Sequence, residues 1–155
     1  MDHEVYMKEA LKLAEEAARD GEVPVGCVIT RNGEIIGRGR NRRESSKNAL
    51  AHAEIEAINE ACRKLGGWRL TDCDLYVTLE PCPMCAGAII NARIKRVYYG
   101  ARDRVFGACG GVMNLFLENF GHQPQLVGGL LEPECSAMLS DFFREIRKNQ
   151  KNSRI

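Results

Sequence analysis

The chain has 155 residues, a formal net charge of +1, 45% hydrophobic residues and 28% charged residues. That size and balance describe a soluble globular domain long enough to bury a sizeable core. No apolar run approaches the roughly 18–20 residues needed to cross a bilayer, which excludes a membrane-spanning helix.

Residues 3–19 place Met7, Ala10, Ala14 and Ala17 at helical spacing, with Tyr6 and Leu13 beside them, and Gly21 ends that helix. Pro24 to Thr30 reads as a strand, Asn32-Gly33 as a tight hairpin turn and Glu34 to Arg38 as the returning strand. Arg40 to Asn48 is polar and loop-like. A second helix is expected over 49–65, with Ile55, Ile58, Cys62 and Leu65 as its buried stripe and Gly66-Gly67 as its stop. Leu75 to Leu79 is a short apolar strand. Pro81 to Cys85 then turns directly into a helix through Asn91, with Pro83 suited to a first-turn position. This helix is apolar nearly all round, which predicts burial, in part by another subunit. Ile94 to Tyr99 reads as a strand, Gly107 to Gly111 as a loop, Val112 to Asn119 as a short helix and Leu126 to Leu130 as a strand. The last helix runs from Glu132 to about Lys148, with Leu139, Phe142, Phe143 and Ile146 as its apolar stripe.

A helix, a hairpin and then alternating strands and helices predict a three-layer α/β/α domain: a mixed sheet of about five strands with helices on both faces. Residues 1–155 read as one domain, with 148–155 as a frayed basic tail. The opening Met1-Asp2-His3-Glu4 is unlike a secretory signal, so a cytoplasmic protein is expected. Seven cysteines, at 27, 62, 73, 82, 85, 109 and 135, then read as free thiols or metal ligands rather than a disulfide framework. Charge is uneven. The segments 38–43, 93–104 and 144–154 each carry +4, leaving −11 for the remainder, a pattern able to present a basic face to an anionic polymer.

Two motifs carry chemistry: His52-Ala53-Glu54 and Pro81-Cys82-Pro83-Met84-Cys85. A catalytic zinc takes three protein ligands and keeps a fourth position for water. His52, Cys82 and Cys85 meet that count for one zinc per chain. Both sulfurs fall at a helix start, where the dipole and unpaired N–H groups favour thiolate. Glu54 lies two residues from His52, about 200° around a helix, so it is expected to serve the water as a proton carrier rather than bind the metal. Other readings exist for each motif. A lone C-x-x-C after a strand also describes a redox pair, and a structural zinc closed by Cys109, Cys135 or His122 has the same donor types. Cys27, Cys62 and Cys73 read as small core residues.

The pairing of H-x-E with P-C-x-x-C resembles the signature of the zinc nucleobase deaminases. Nearly the whole chain resembles the bacterial tRNA-specific adenosine deaminases (TadA type). The likeness is carried by Glu22-Val23-Pro24-Val25-Gly26, by Thr78 to Cys85, by Gly100-Ala101-Arg102-Asp103 and by Leu139 to Arg144. The resemblance implies a cytidine-deaminase-like fold and a cytoplasmic homodimer. It implies conversion of adenosine to inosine at the wobble position of a tRNA anticodon stem-loop. It assigns Asn41 to hydrogen bonding with the purine and Asp103 to the neighbourhood of the substrate strand. The chain departs from the family pattern at Lys47-Asn48-Ala49-Leu50, where Asp-Pro-Thr is usual, and at Val105, near which a lysine is usual. The alternative is a zinc-dependent deaminase of a free base or nucleoside such as guanine or cytidine. A third reading is a non-catalytic zinc-stabilised or thiol-redox module.

Overall fold

A computed structural model of the chain describes residues 2–152. The elements run α1 (His3–Arg19), β1 (Gly26–Arg31), β2 (Glu34–Arg40), α2 (Ala53–Leu65), β3 (Cys73–Leu79), α3 (Pro83–Asn91), β4 (Arg96–Ala101), β5 (Gln125–Gly128) and α4 (Glu132–Asn152). The strands form one sheet in the order β2-β1-β3-β4-β5. β1 pairs antiparallel with β2 and β3, while β3–β4 and β4–β5 are parallel. This is the expected mixed three-layer architecture.

Local chemistry explains the well-read elements. Asp2 caps α1 by accepting from the Glu4 amide at 3.1 Å. Met7, Ala10, Ala14 and Ala17 are its buried residues, as their spacing requires. Asn32 and Gly33 both have positive φ, 53° and 78°, as a tight hairpin turn demands. The strands alternate between two cores. Met7, Ala10, Val28, Tyr76, Tyr98 and Cys135 pack under α1 and α4. Cys27, Ile29, Leu75, Val77, Ala57 and Ile89 pack under α2 and α3.

Three expectations change. First, α2 begins at Ala53, not near Ala49, because Asn48 ties its side-chain oxygen to the Leu50 amide at 2.9 Å and His52 stays extended as the N-cap. Its buried stripe is Ala53, Glu54, Ala57 and Ala61, whereas Ile55, Ile58, Cys62 and Leu65 are only half-buried. The cause lies on β2. A Cβ at Gly37 would strike the Ala57 carbonyl and one at Gly39 that of Ala53, so helix and sheet meet more closely than a branched side chain permits.

Second, the helix expected over 112–119 shrinks to a 3-10 turn at Leu115–Leu117. The amides of Val112 and Leu115 bond back to Gly107 and Ala108, both at 2.8 Å, which ties the segment to the preceding loop instead of a helical ladder. Third, α4 continues to Asn152 but buries only Cys135 fully. Leu139 packs against the α1-side core, Phe142 and Ile146 are half-buried, and Phe143 is 43% exposed. The expected apolar stripe thus leaves the sheet as the helix proceeds. Arg154, which the sequence places on the basic side of this helix, lies outside the described residues.

Candidate active site

β3 delivers the chain to Cys82, the extended N-cap of α3, with Pro83 as the next residue. Cys85 follows in the first turn and is fully buried. His52 holds the matching N-cap position on α2. Two helix N-termini therefore converge, and a proline, which has no N–H in need of an acceptor, starts one of them. His52 Nδ1 stands 3.7 Å from Cys82 Sγ and 3.6 Å from Cys85 Sγ. All three donor atoms lie within 4.8 Å of one another.

The donor set fits zinc. Zn–S bonds of about 2.3 Å and a Zn–N bond of about 2.0–2.1 Å, opened to a tetrahedral angle, put nitrogen and sulfur about 3.6 Å apart. Among the described residues no other group joins the cluster. His122 Nε2 instead lies 2.7 Å from the Ile94 carbonyl, Cys135 belongs to the α1-side core, and Cys109 lies outside the donor cluster. None of these is the closing ligand of a structural site. Three donors, with no fourth among the described residues, would suit a catalytic metal, which keeps one position for water.

The charges around the cluster are strongly biased. The Cys85 thiol, hydrogen-bonded to Cys82, brings the Cys82 pKa down to about 4 against the effect of burial, and His52 adds to it. Donation to Cys82 and burial raise that of Cys85. The bond to Cys82 raises that of His52. Glu54 is 4% exposed, and burial lifts its carboxyl to about 7. It points at the cluster without belonging to it, since Cys85 is among its hydrogen-bond partners.

A cavity of about 790 Å³ opens above this floor of His52, Glu54 and Cys82. Asn41 and Arg43 form part of its wall from the loop after β2, and Arg102, Asp103, Val105 and Phe106 form part of it from the loop after β4. Leu139 and Phe143 approach from α4. Asn41 is nearly buried, giving its Nδ2 to the Val23 carbonyl at 3.2 Å and accepting the Arg43 amide at 3.1 Å. One N–H and one lone pair stay available on its amide. Asp103 accepts the Val105 and Phe106 amides on one oxygen, both at 3.0 Å. The structure thus gathers five of the six sequence-selected residues around one cavity, with Cys85 beneath the floor.

A family model for MafB19-like deaminases matches residues 1–147. A tRNA-specific adenosine deaminase of Bacillus subtilis is 54% identical over 152 residues, covering 97% of this chain and 94% of that one. The chain belongs to the tRNA-specific adenosine deaminase family. A solved structure from work on A-to-I editing by tRNA:A34 deaminases superposes with a TM-score of 0.84 at 44% identity, over 87% of this chain and 99% of that one. A guanine deaminase from Bacillus subtilis, also 44% identical, gives a TM-score of 0.64 over 76% of this chain and 74% of its own. The family fold is therefore shared by enzymes acting on a tRNA adenosine and on a free purine base.

Sequence reasoning passed over several residues that line this family's cavity here: Arg43, Glu80, Arg102, Phe106 and Phe143. For Arg43 the net charge of its basic segment is the only signal, whereas Arg102 also stands in the Gly100-Ala101-Arg102-Asp103 motif that carries the resemblance. Phe143 was assigned to the core. The basic segments themselves are largely answered by nearby acids. Arg40 pairs with Glu16 and Asp20, Arg42 with Glu56, and Arg96 with Asp74.

Proposed function

We propose that this chain hydrolytically deaminates adenosine to inosine at the wobble position of a tRNA anticodon, as one deaminase domain binding one zinc. The observation that carries the reading is a buried Glu54 set against the His52, Cys82 and Cys85 donors at the floor of a cavity whose walls hold Asn41 and two arginines. Near-full-length likeness to tRNA-specific adenosine deaminases supports the RNA substrate.

His52, Cys82 and Cys85 would hold the metal, which when bound lowers the pKa of its water to about 7. Glu54 does the proton work. Its carboxylate accepts a proton from the attacking water, passes one to the ring nitrogen of the purine and assists departure of ammonia. A carboxyl held near 7 can take and release protons at neutral pH, which an ordinary carboxyl cannot do as readily. The spare N–H and lone pair of Asn41 orient the base, and the cavity's apolar wall excludes water from the ring.

The same chain would work as a cytoplasmic homodimer. Among the described residues no helix is long and apolar enough to cross a membrane. A second hollow of about 610 Å³, lined by Leu50, Ile55, Met84, Ala88, Leu115 and Phe120, leaves one side of the apolar α3 uncovered. Sedimentation of Met84→Lys tests it, a monomer being expected.

The likeness to a guanine deaminase favours one competing reading, deamination of a free base by the same site. Ammonia release and inosine detection decide between them. The substrates are an anticodon stem-loop with a wobble adenosine, free adenosine, cytidine and guanine. Turnover of the stem-loop alone is expected. Turnover of guanine with the stem-loop untouched overturns the RNA reading.

A further inference from the structure

Each wall of the cavity is a loop without regular structure, and each is tied down by one buried carboxylate from elsewhere in the chain. Glu80, 3% exposed, follows β3. Its Oε1 accepts the Asp103 amide at 3.1 Å, and its Oε2 accepts those of Cys109 and Gly111 at 3.0 and 2.8 Å. Gly107 and Gly111 press so closely on this carboxylate and on the Asp103 carbonyl that neither position has room for a Cβ. Glu22, 1% exposed, treats the loop after β2 in the same way. Its two oxygens take the Glu44 and Ser45 amides at 2.9 and 2.7 Å.

A buried carboxylate is costly unless its oxygens are met by donors, and a buried loop is costly unless its N–H groups find acceptors. Here the two needs cancel. Only an anion offers two oxygens that both accept, and its bonds are stronger than those of a neutral amide. The ordering then continues outward. The backbone held by Glu80 carries Asp103, whose side chain fixes the Val105 and Phe106 amides. The loop held by Glu22 follows Asn41, whose side chain fixes the Arg43 amide.

We infer that Glu22 and Glu80 are positioning residues that order the two loops, 41–48 and 102–111, from which Asn41, Arg43, Arg102, Asp103, Val105 and Phe106 line the cavity. The inference rests on the proposed deaminase reading, since it assigns Asn41 and Asp103 to the substrate. Neither glutamate belongs to the zinc cluster, and the floor residues sit on α2 and α3 rather than on the walls. The glutamates therefore act on binding geometry and leave the chemistry of the floor intact.

The test uses Glu80→Gln and Glu22→Gln in the full chain. An amide keeps the shape but turns an NH₂ toward at least one loop N–H, so one tether of each clamp is lost. KM should rise about tenfold or more, on the scale of one lost charge-assisted hydrogen bond, while kcat stays within about threefold. Zinc content should not change. The split is read on whichever substrate the wild-type protein turns over, so failure of the RNA reading leaves this inference testable. A variant-free measurement covers the case of poor folding. In the wild-type protein the amides of Glu44, Ser45, Cys109 and Gly111 should exchange slowly with solvent although they lie in loops. Unchanged KM in both variants, a loss confined to kcat, or fast exchange of those four amides overturns the inference.

Discussion

The Nδ1 atom of His52 stands 3.7 Å from the Sγ of Cys82 although thirty residues separate them in the chain. Both are N-caps, each extended, each at the start of a helix packed on the same face of the sheet. The donor cluster is thus held by two helix ends whose backbone is set by packing, and these residues would hold a metal between them. Replacing Cys82 or His52 by Ala should abolish zinc binding, read as metal per chain, and should abolish deamination with it. Full activity in metal-free protein would end the zinc-deaminase reading.

Glu54 lies outside the donor cluster, so its proposed role can be tested apart from that of the ligands. Glu54→Gln preserves size and burial but cannot carry a proton, so kcat should fall by ~10²–10⁴ or more. Metal per chain should stay at the wild-type value. If zinc disappears together with activity, Glu54 supports the metal and its role as proton carrier is wrong.

The residues that sequence made legible are those whose identity is dictated by one requirement. Metal ligation admits few donors, so His52, Cys82 and Cys85 could be named before any geometry was known. The stripe Met7, Ala10, Ala14, Ala17 was legible because the other face of α1 is polar. The face of α2 was not, because Ile55 and Ile58 outrank alanine as apolar residues. What buries Ala53, Ala57 and Ala61 instead is the absence of side chains at Gly37 and Gly39 on another element. The walls were opaque for a related reason. The amides of Cys109 and Gly111 find their acceptor on Glu80, 29 and 31 residues away, and nothing local announces it.

Glu22 gives a pH signature. Burial pushes its carboxyl up, but the Ser45 and Glu44 amides and the charge of Arg43 outweigh that and hold it below its ordinary value. A depressed folded-state pKa adds stability above the unfolded value, about 4.3, and that stability is lost as pH falls through the folded value. Urea midpoints measured from pH 7 downward should therefore favour wild type over Glu22→Gln most above pH 5, with the gap narrowing in acid. A gap that stays constant with pH would mean that ionised Glu22 contributes nothing beyond its shape.

The last prediction concerns the RNA path along α4. Arg144, Arg147, Lys148 and Lys151 recur at spacings of three and four within the helix, which gathers them along one side. Arg144 pairs with Asp141 at 3.1 Å and Lys148 reaches Glu145 at 3.9 Å, both in the open. Exposed pairs of this kind are worth about 0–1 kcal/mol and yield readily to a phosphate. The same helix brings Phe143 to the cavity mouth, so a strand entering the cavity passes close to this basic side. Changing Arg147, Lys148 and Lys151 together to Ala should weaken stem-loop binding and flatten its salt dependence. The slope should fall by roughly 0.7 for each single-strand phosphate contact removed. Zinc content and the KM for any free nucleoside should not move. An unchanged slope would put the path along Arg38 to Arg43 and Arg102 to Arg104. That route is the weaker candidate, because Arg40 is already held by Glu16 and Asp20 and Arg42 by Glu56. Absence of stem-loop binding by the wild-type protein at low salt would instead favour the free-base reading.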